Sequence, residues 1–479
     1  MDQKIAQEYV DEMWDNEIVP ELIEYIKIPA KSPHFDADWE ANGHLEQAVQ
    51  HIYGWCEKQD VKGVEMEIVR LPGRTPLIFM EIQPQGPVRD TNGKEDTILM
   101  YGHLDKQPEM TGWNEGLGPW IPVMKDGKLY GRGGADDGYA AYASLTAVMA
   151  LQRQGISHAR IVVIIEACEE SGSYDLPFYI DHLRPRIGEP SLVVCLDSGA
   201  GNYEQLWLTV SLRGMAAGTL RVDILNEGVH SGYASGVVPS SFRIMQQLFG
   251  RLEDKETGKV LPDYLYADIP EQRVEQTKAM AEALGDDIWK AYPFVEGAEP
   301  MADNNVDRVL NRTWRPALSY TGVDGMPSIS DAGNVLRPFT AMKLSMRLPA
   351  TVDGEAATQA IKETLEANPP SNAKVEFEAD QSASGWNAPE IAPWLHASLE
   401  KGSQASYGKG VMYMGEGGTI PFMAMLGEFF PEAQFMIAGV LGPHSNAHGP
   451  NEFIHIPYAR KLTTCVSQVI EDHYLRDRG

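Results

Sequence analysis

The chain has 479 residues, more than one hydrophobic core ordinarily organises, so two domains are expected. Its composition, 43% hydrophobic and 23% charged, is globular and free of low-complexity tracts. An excess of 68 Asp and Glu over 40 Lys and Arg leaves a net charge of −28, which argues against nucleic acid or an anionic membrane as a partner.

The first stretch, "MDQKIAQEYVDEMWDNEIVPELIEYIKIP", reads as an acidic amphipathic helix. It lacks the basic start and apolar centre of a signal peptide, and no apolar run nears the roughly 18 residues of a membrane span. Cys56, Cys168, Cys195 and Cys465 form no CxxC pair and read as buried reduced thiols. A cytoplasmic location is expected.

From about Asp96 to Ser198 strands and helices alternate. "DTILMYGHLD" is a strand, "DDGYAAYASLTAVMALQRQG" a helix ended by Gly155, and "ARIVVIIEACEE" and "SLVVCLDSG" are further strands. This is an α/β pattern with strands buried on both faces. After "LWLTVSLRG" the chain changes to β-like runs, "AAGTLRVDIL" and "FTAMKLSMRLPA", around a charged helical stretch from about Met245 to Leu284. After "SGWNAPEIAPWLHASLEKG" it returns to α/β and ends in a helix. The expected architecture is a discontinuous catalytic domain, residues 1–210 and 383–479, with a mixed sheet flanked by helices. An α+β lid or dimerisation domain, residues 211–382, is inserted in it.

Each α/β strand turns polar at its C-terminal end: His103 and Asp105, then Glu169 and Glu170, then Asp197. In open α/β sheets ligands bind at that edge. Adjacent buried acids repel, and no Lys or Arg neighbours Glu169 and Glu170 in sequence, so metal cations are the physical alternative. Candidates are His103, Asp105, Asp136, Asp137, Glu169, Glu170, Asp197 and the distant His448. The number of ligands suits two ions about 3.5–4 Å apart, joined by a bridging carboxylate. The plainer alternative for Asp136 and Asp137 is a helix N-cap. "GRGGAD" is a poor dinucleotide loop, since Asp136 replaces its third glycine and no strand is expected immediately before it. There is no GxSxG nucleophile elbow, and strand alternation points Cys168 away from Glu169.

The ordered set "YGHLDKQP", "DGKLYGRGGADD", "EACEESGS", "LDSG", "VHSG" and "AHGPNE" resembles the M20 metallopeptidases, most of all their carnosinase-like (cytosolic nonspecific dipeptidase) branch. The resemblance implies that His103 and Asp197 hold one metal, Glu170 and His448 a second, and Asp136 bridges them. It makes Glu169 the general base on the attacking water and Asp105 the group that orients His103. It also implies a cis peptide between Asp136 and Asp137. A shift of one residue would exchange the roles of Glu169 and Glu170. His230 would reach the partner subunit's active site in a homodimer and stabilise the oxyanion. Arg347, Gly417, Gly418 and Thr419 would grip the substrate's terminal carboxylate, with Asn334 a further substrate contact. Zinc suits the ligands, and manganese or cobalt would also fit.

Two cations usual in that branch are absent: Gly138 stands for Lys and Gly415 for Arg, while Thr419 replaces Ser. The leading expectation is a dinuclear hydrolase cleaving the amide bond of a dipeptide or related small peptide. The alternative is an N-acyl amino acid deacylase, of aminoacylase or desuccinylase type, using the same site. A non-catalytic binding protein on this fold is the third reading; no ligand or base is lost to favour it.

Overall fold

The computed structural model describes residues 1–91, 94–418 and 421–477. Helix α1 (Gln3–Met13) is capped by the Asp2 carboxylate, which accepts from the Lys4 and Ile5 N–H groups. It runs on through Trp14–Ile18 into Val19–Ile26. Strands β1 (Val64–Val69), β2 (Leu77–Ile82) and β3 (Thr97–His103) follow, then helix α2 (Ala140–Arg153), β4 (Arg160–Glu166) and β5 (Leu192–Cys195). Next come β6 (Trp207–Leu212), β7 (Gly214–Asp223), α3 (Ser241–Phe249), α4 (Glu271–Leu284), α5 (Asn305–Thr313), β8 (Ala317–Asp324), β9 (Phe339–Leu348), α6 (Gly354–Glu366) and β10 (Lys374–Ala383). The last labelled elements are β11 (Met412–Glu416), β12 (Gln434–Ile437) and α7 (Ile456–Leu475).

The main sheet is mixed, as the sequence leads one to expect. Its order is β1–β2–β4–β3–β5–β12. β3 lies parallel to β4 and β5, and β12 parallel to β5; β2 and β1 complete the sheet antiparallel. Alternation along β4 divides its side chains between two cores. Ile161, Val163 and Ile165 pack with α2 and α7, while Val162 and Ile164 face the cluster around Leu176 and Met423. β3 divides likewise, Ile98 and Met100 against Leu99 and Tyr101. Both faces are thus covered, which explains the unbroken apolar runs.

A separate antiparallel sheet, β8–β9–β7–β10, lies between Gly214 and Ala383 and packs with α3 and α6 around Leu220, Leu248, Leu344 and Ile361. The helical stretch expected from Met245 to Leu284 is two helices, α3 and α4. Pro262 and Pro270 fall between them, where missing N–H groups and restricted neighbours interrupt a helix. α4 rests on β11, and Met280, Ala281 and Val309 of α4 and α5 join the main core. Against expectation, a strand, Lys128–Tyr130, does directly precede the Gly-rich turn. It belongs to a small three-stranded sheet, and Asp136 still interrupts the dinucleotide pattern. Among the described residues no helix is long and apolar enough to cross a membrane.

The two ends of the main sheet differ. At the C-terminal ends of β3, β4 and β5 the acids and His103 emerge. At the opposite end Asp96, just before β3, is fully buried and takes a bidentate ion pair from Arg476, with bonds of 2.7 and 2.8 Å. Ser191 and His473 adjoin the same carboxylate, so the end of α7 is clamped to the sheet. Burial opposes the Asp96 charge, but Arg476, His473 and Ser191 outweigh it and hold the carboxyl well below the usual range. A group depressed in this way stabilises the fold above its unfolded pKa of about 3.9, and the contribution is lost as pH falls below that value. Asp96→Ala removes the buried bidentate partner of Arg476 and should cost roughly 3–5 kcal/mol in urea unfolding at neutral pH. The difference from wild type should shrink as pH is lowered below about 4. A loss under about 1 kcal/mol would mean the clamp is not structural.

Candidate metal centre

His103 ends β3 with its side chain fully buried. Its Nδ1 lies 3.1 Å from the Asp105 carbonyl oxygen and 3.5 Å from the Asp105 carboxylate. The two Asp105 carboxylate oxygens accept the N–H groups of Glu169 and Glu170 at 3.1 and 3.0 Å. One buried carboxylate therefore fixes the turn Glu169–Ser171 that carries both glutamates, while the backbone carbonyl of the same residue is the hydrogen-bond partner of the imidazole. Asp105 is a scaffold in this geometry.

His103 Nε2 faces outward, 3.4 Å from Asp136, 3.7 Å from Asp197 and 3.9 Å from Glu169. Across the crevice His448 Nε2 lies 3.1 Å from Asp136 and 3.4 Å from Glu170. Two ligand groups result, His103–Asp136–Asp197 and Asp136–Glu170–His448, and they share Asp136. Glu169 belongs to neither group. The N-cap alternative for Asp136 and Asp137 is not what forms: α2 starts without a side-chain cap. Asp137 instead turns inward and accepts the His103 N–H at 3.3 Å. The Asp136–Asp137 peptide is cis.

The donor set fits divalent cations. Among the described residues His103 Nε2, Asp136 Oδ2 and Glu170 Oε1 are buried with no hydrogen-bond partner, a costly state for neutral or charged groups alike. Four ligands at about 2.0–2.2 Å from one ion in tetrahedral array stand about 3.4 Å apart, close to the separations found. Among the described residues no Lys or Arg forms an ion pair with Asp136, Glu169, Glu170 or Asp197. Burial, with Asp197 beside it, pushes the Glu169 carboxyl well above its ordinary value. Burial and Asp136 do the same to Glu170, and burial raises Asp197 to about 7. Asp136 is the exception: burial opposes its charge, but the imidazoles of His103 and His448 bring it below the usual range.

His448 sits in a loop with left-handed backbone at Asn446, His448 and Asn451. Such conformations need support. Arg132 supplies it, donating to the His448 and Gly449 carbonyls at 3.2 and 2.8 Å and pairing with buried Glu452. Glu452 also accepts the Gly133 N–H at 2.8 Å, so one ion pair ties the His448 loop to the turn bearing Asp136. The sequence reading missed this pair, although Glu452 lies inside the "AHGPNE" motif. It missed Gln107, which donates to Glu170 at 2.6 Å, and Glu166, a buried acid held by Tyr101, Ser173 and Cys168. Burial and Asp105 push Glu166 up to about 7. Gln107 and Glu166 each sit in a quoted motif or strand end, and that position was the available signal. Cys168 lies beyond the end of β4, in the turn that carries the glutamates, and donates its thiol to the Glu166 carboxylate at 3.4 Å.

None of the substrate candidates belongs to either ligand group. His230 is exposed, and its Nδ1 accepts the Gly232 N–H at 3.0 Å, which leaves the proton on Nε2. Asn334 lies beside it: its carbonyl accepts the Ser231 N–H at 2.9 Å. Arg347 is on β9 between Met215 and Ala317. The Gly417 carbonyl accepts from Arg213 at 3.2 Å, and Gly418 is exposed. Thr419 lies outside the described residues. The absence of a side chain at Gly138 has a steric cause, since a Cβ there would lie 2.2 Å from Tyr25 Cε1. A cation does stand behind that ring: buried Lys106, 3.8 Å over Tyr25 and bonded to the Tyr25 and Ile28 carbonyls.

Paired ligand groups at the carboxyl edge of a mixed α/β sheet are the apparatus of a metal-dependent hydrolase. The chain belongs to the peptidase family M20/M25/M40, whose model matches residues 99–472. It is 27% identical over 377 residues to the cysteinylglycine-S-conjugate dipeptidase of Corynebacterium striatum, covering 77% of this chain and 79% of that one. It is 26% identical over 376 residues to the Cys-Gly metallodipeptidase DUG1 of Saccharomyces cerevisiae, covering 76% of each. The structure of human carnosine dipeptidase 1 superposes with a TM-score of 0.74 over 99% of both chains at 20% identity, a likeness of fold.

Asp105→Ala should weaken divalent-metal affinity about 10–100-fold in chelator competition, as loss of a ligand-orienting carboxylate does elsewhere. Unchanged affinity would remove Asp105 from the site.

Proposed function

We propose that this chain is a dinuclear metallodipeptidase. The observation that carries the reading is the pair of ligand groups meeting at Asp136. His103 and Asp197 would hold one ion and Glu170 and His448 the other, zinc being the best match to the donors. When bound, the two cations would neutralise the converging carboxylates, lower the pKa of water and polarise a carbonyl. The dipeptidase names of both curated relatives support a dipeptide as substrate.

In this reading residues 1–210 and 383–479 form the catalytic domain and residues 211–382 the lid. Arg347 and the Gly417–Gly418 backbone, with Thr419, take the substrate's terminal carboxylate. Glu169 lies outside both ligand groups, which leaves its carboxylate to accept and return a proton. It removes a proton from water as the new C–O bond forms at the scissile carbonyl. His230 of the partner subunit donates from Nε2 to the carbonyl oxygen as it gains negative charge. Glu169 then passes its proton to the amide nitrogen, and the C–N bond breaks to give a carboxylate and an amine. The exposed apolar side chains of Tyr233, against His230, and Val237, in the turn that follows, support a homodimer contact there.

Glu169→Gln should keep two metals and lower kcat at least a thousandfold; substantial residual kcat with metals retained would remove Glu169 as the base. Mixing Glu169→Ala with His230→Ala protein should restore some activity through hybrid dimers. No recovery despite proven subunit exchange would place His230 outside its partner's site. If N-acyl amino acids are cleaved and dipeptides are not, the deacylase reading replaces this one.

A further inference from the structure

The acids of the crevice are held in different ways. Asp105 fixes the turn of Glu169 and Glu170, and Arg132 braces the loop of His448. Asp197 lies two residues beyond the end of β5, in irregular backbone. Part of its support comes from the chain after β12. Ala438 donates to the Cys195 carbonyl at 3.0 Å, Leu441 to the Ser198 carbonyl at 3.3 Å, and Ala200 to the Leu441 carbonyl at 3.1 Å.

The rest comes from one carboxylate. Glu416 ends β11, and its Oε1 accepts the Ser198 hydroxyl at 2.8 Å, the Gly199 N–H at 2.9 Å and the Thr209 hydroxyl at 2.7 Å. Ser198 and Gly199 are the two residues that follow Asp197. Thr209 is a buried residue of β6, which runs parallel to β11, so the third bond anchors the acid to a strand. A Cβ at Gly199 would lie 2.8 Å from Glu416 Oε1, and the glycine leaves the carboxylate room. An acid here has an electrostatic cost: burial is the main opponent of the Asp197 charge, and Glu416 adds to it. A neutral side chain would avoid that cost but would accept the three bonds more weakly. Glu416 belongs to neither ligand group, and its hydrogen bonds involve none of Asp136, Glu170 and His448.

We propose that Glu416 is a positioning residue for one ion of the pair: through Ser198 and Gly199 it sets the place of Asp197 without binding metal itself. The inference rests on the reading of Asp197 as a ligand of the ion beside His103. It makes the effect of Glu416 selective, strong at the His103–Asp136–Asp197 group and absent from the Asp136–Glu170–His448 group.

The test is calorimetric titration of metal-stripped protein with zinc in two single-site backgrounds. His448→Ala keeps the first group whole, and Asp197→Ala keeps the second. Adding Glu416→Ala should weaken zinc about 10–100-fold in the His448→Ala background, the range for an outer partner of a ligand. In the Asp197→Ala background it should change affinity by less than about twofold. Glu416→Gln keeps an accepting oxygen and should recover most of the loss. Thr209→Val removes one donor at similar volume and should cost about threefold, again in the His448→Ala background alone. That variant decides the matter if Glu416→Ala does not fold. Unchanged affinity in the His448→Ala background, or equal losses in both, would overturn the proposal. Wild-type protein that binds a single zinc ion would contradict the dinuclear reading. The inference then stands if that ion is lost in Asp197→Ala and weakened by Glu416→Ala, and falls if Asp197→Ala retains it.

Discussion

Four carboxylates, Asp136, Glu169, Glu170 and Asp197, converge on one crevice with two imidazoles and no ion-paired Lys or Arg among the described residues. Their mutual repulsion and desolvation are the constraint on which the rest of the structure depends. Asp105 spends its charge on two backbone N–H groups and on His103, which keeps the turn bearing both glutamates in place. Arg132 is close at hand, yet it is committed to Glu452 and to the carbonyls of the His448 loop. Lys106, beside the Gly133 turn, is turned onto the Tyr25 and Ile28 carbonyls. Arg132 and Lys106 both hold backbone carbonyls, and among the described residues neither forms an ion pair with the crevice carboxylates.

Stability is supplied elsewhere. The apolar alternation of β3 and β4 divides two cores about the sheet, and the Asp96–Arg476 pair fastens α7 at the end remote from the acids. The carboxyl edge can therefore hold like charges and left-handed backbone at His448 without loss of the fold.

Much of this was legible in sequence because its signals are local. Apolar runs ending in His103, Glu169–Glu170 and Asp197 locate strand ends directly, and strand ends locate the crevice. What escaped was tertiary. Nothing near Gln107 in the chain indicates that it will bond Glu170, and Arg132 and Glu452 are separated by 320 residues. The two missing cations, at Gly138 and Gly415, were visible as departures, but their cause was not: Tyr25 fills one space, and Ser211 with Thr313 the other. The helical stretch after Met245 was overextended because charge and helix propensity outweighed two prolines in the reading.

The central claim is that two cations are held jointly through Asp136. Metal-stripped protein would be titrated with zinc and then manganese, followed by calorimetry and elemental analysis, for wild type and Asp136→Ala. The account predicts two equivalents bound by wild type and a large fall in affinity for both in the variant, because each ligand group loses a member. One equivalent in wild type, or two bound with undiminished affinity by Asp136→Ala, would contradict it.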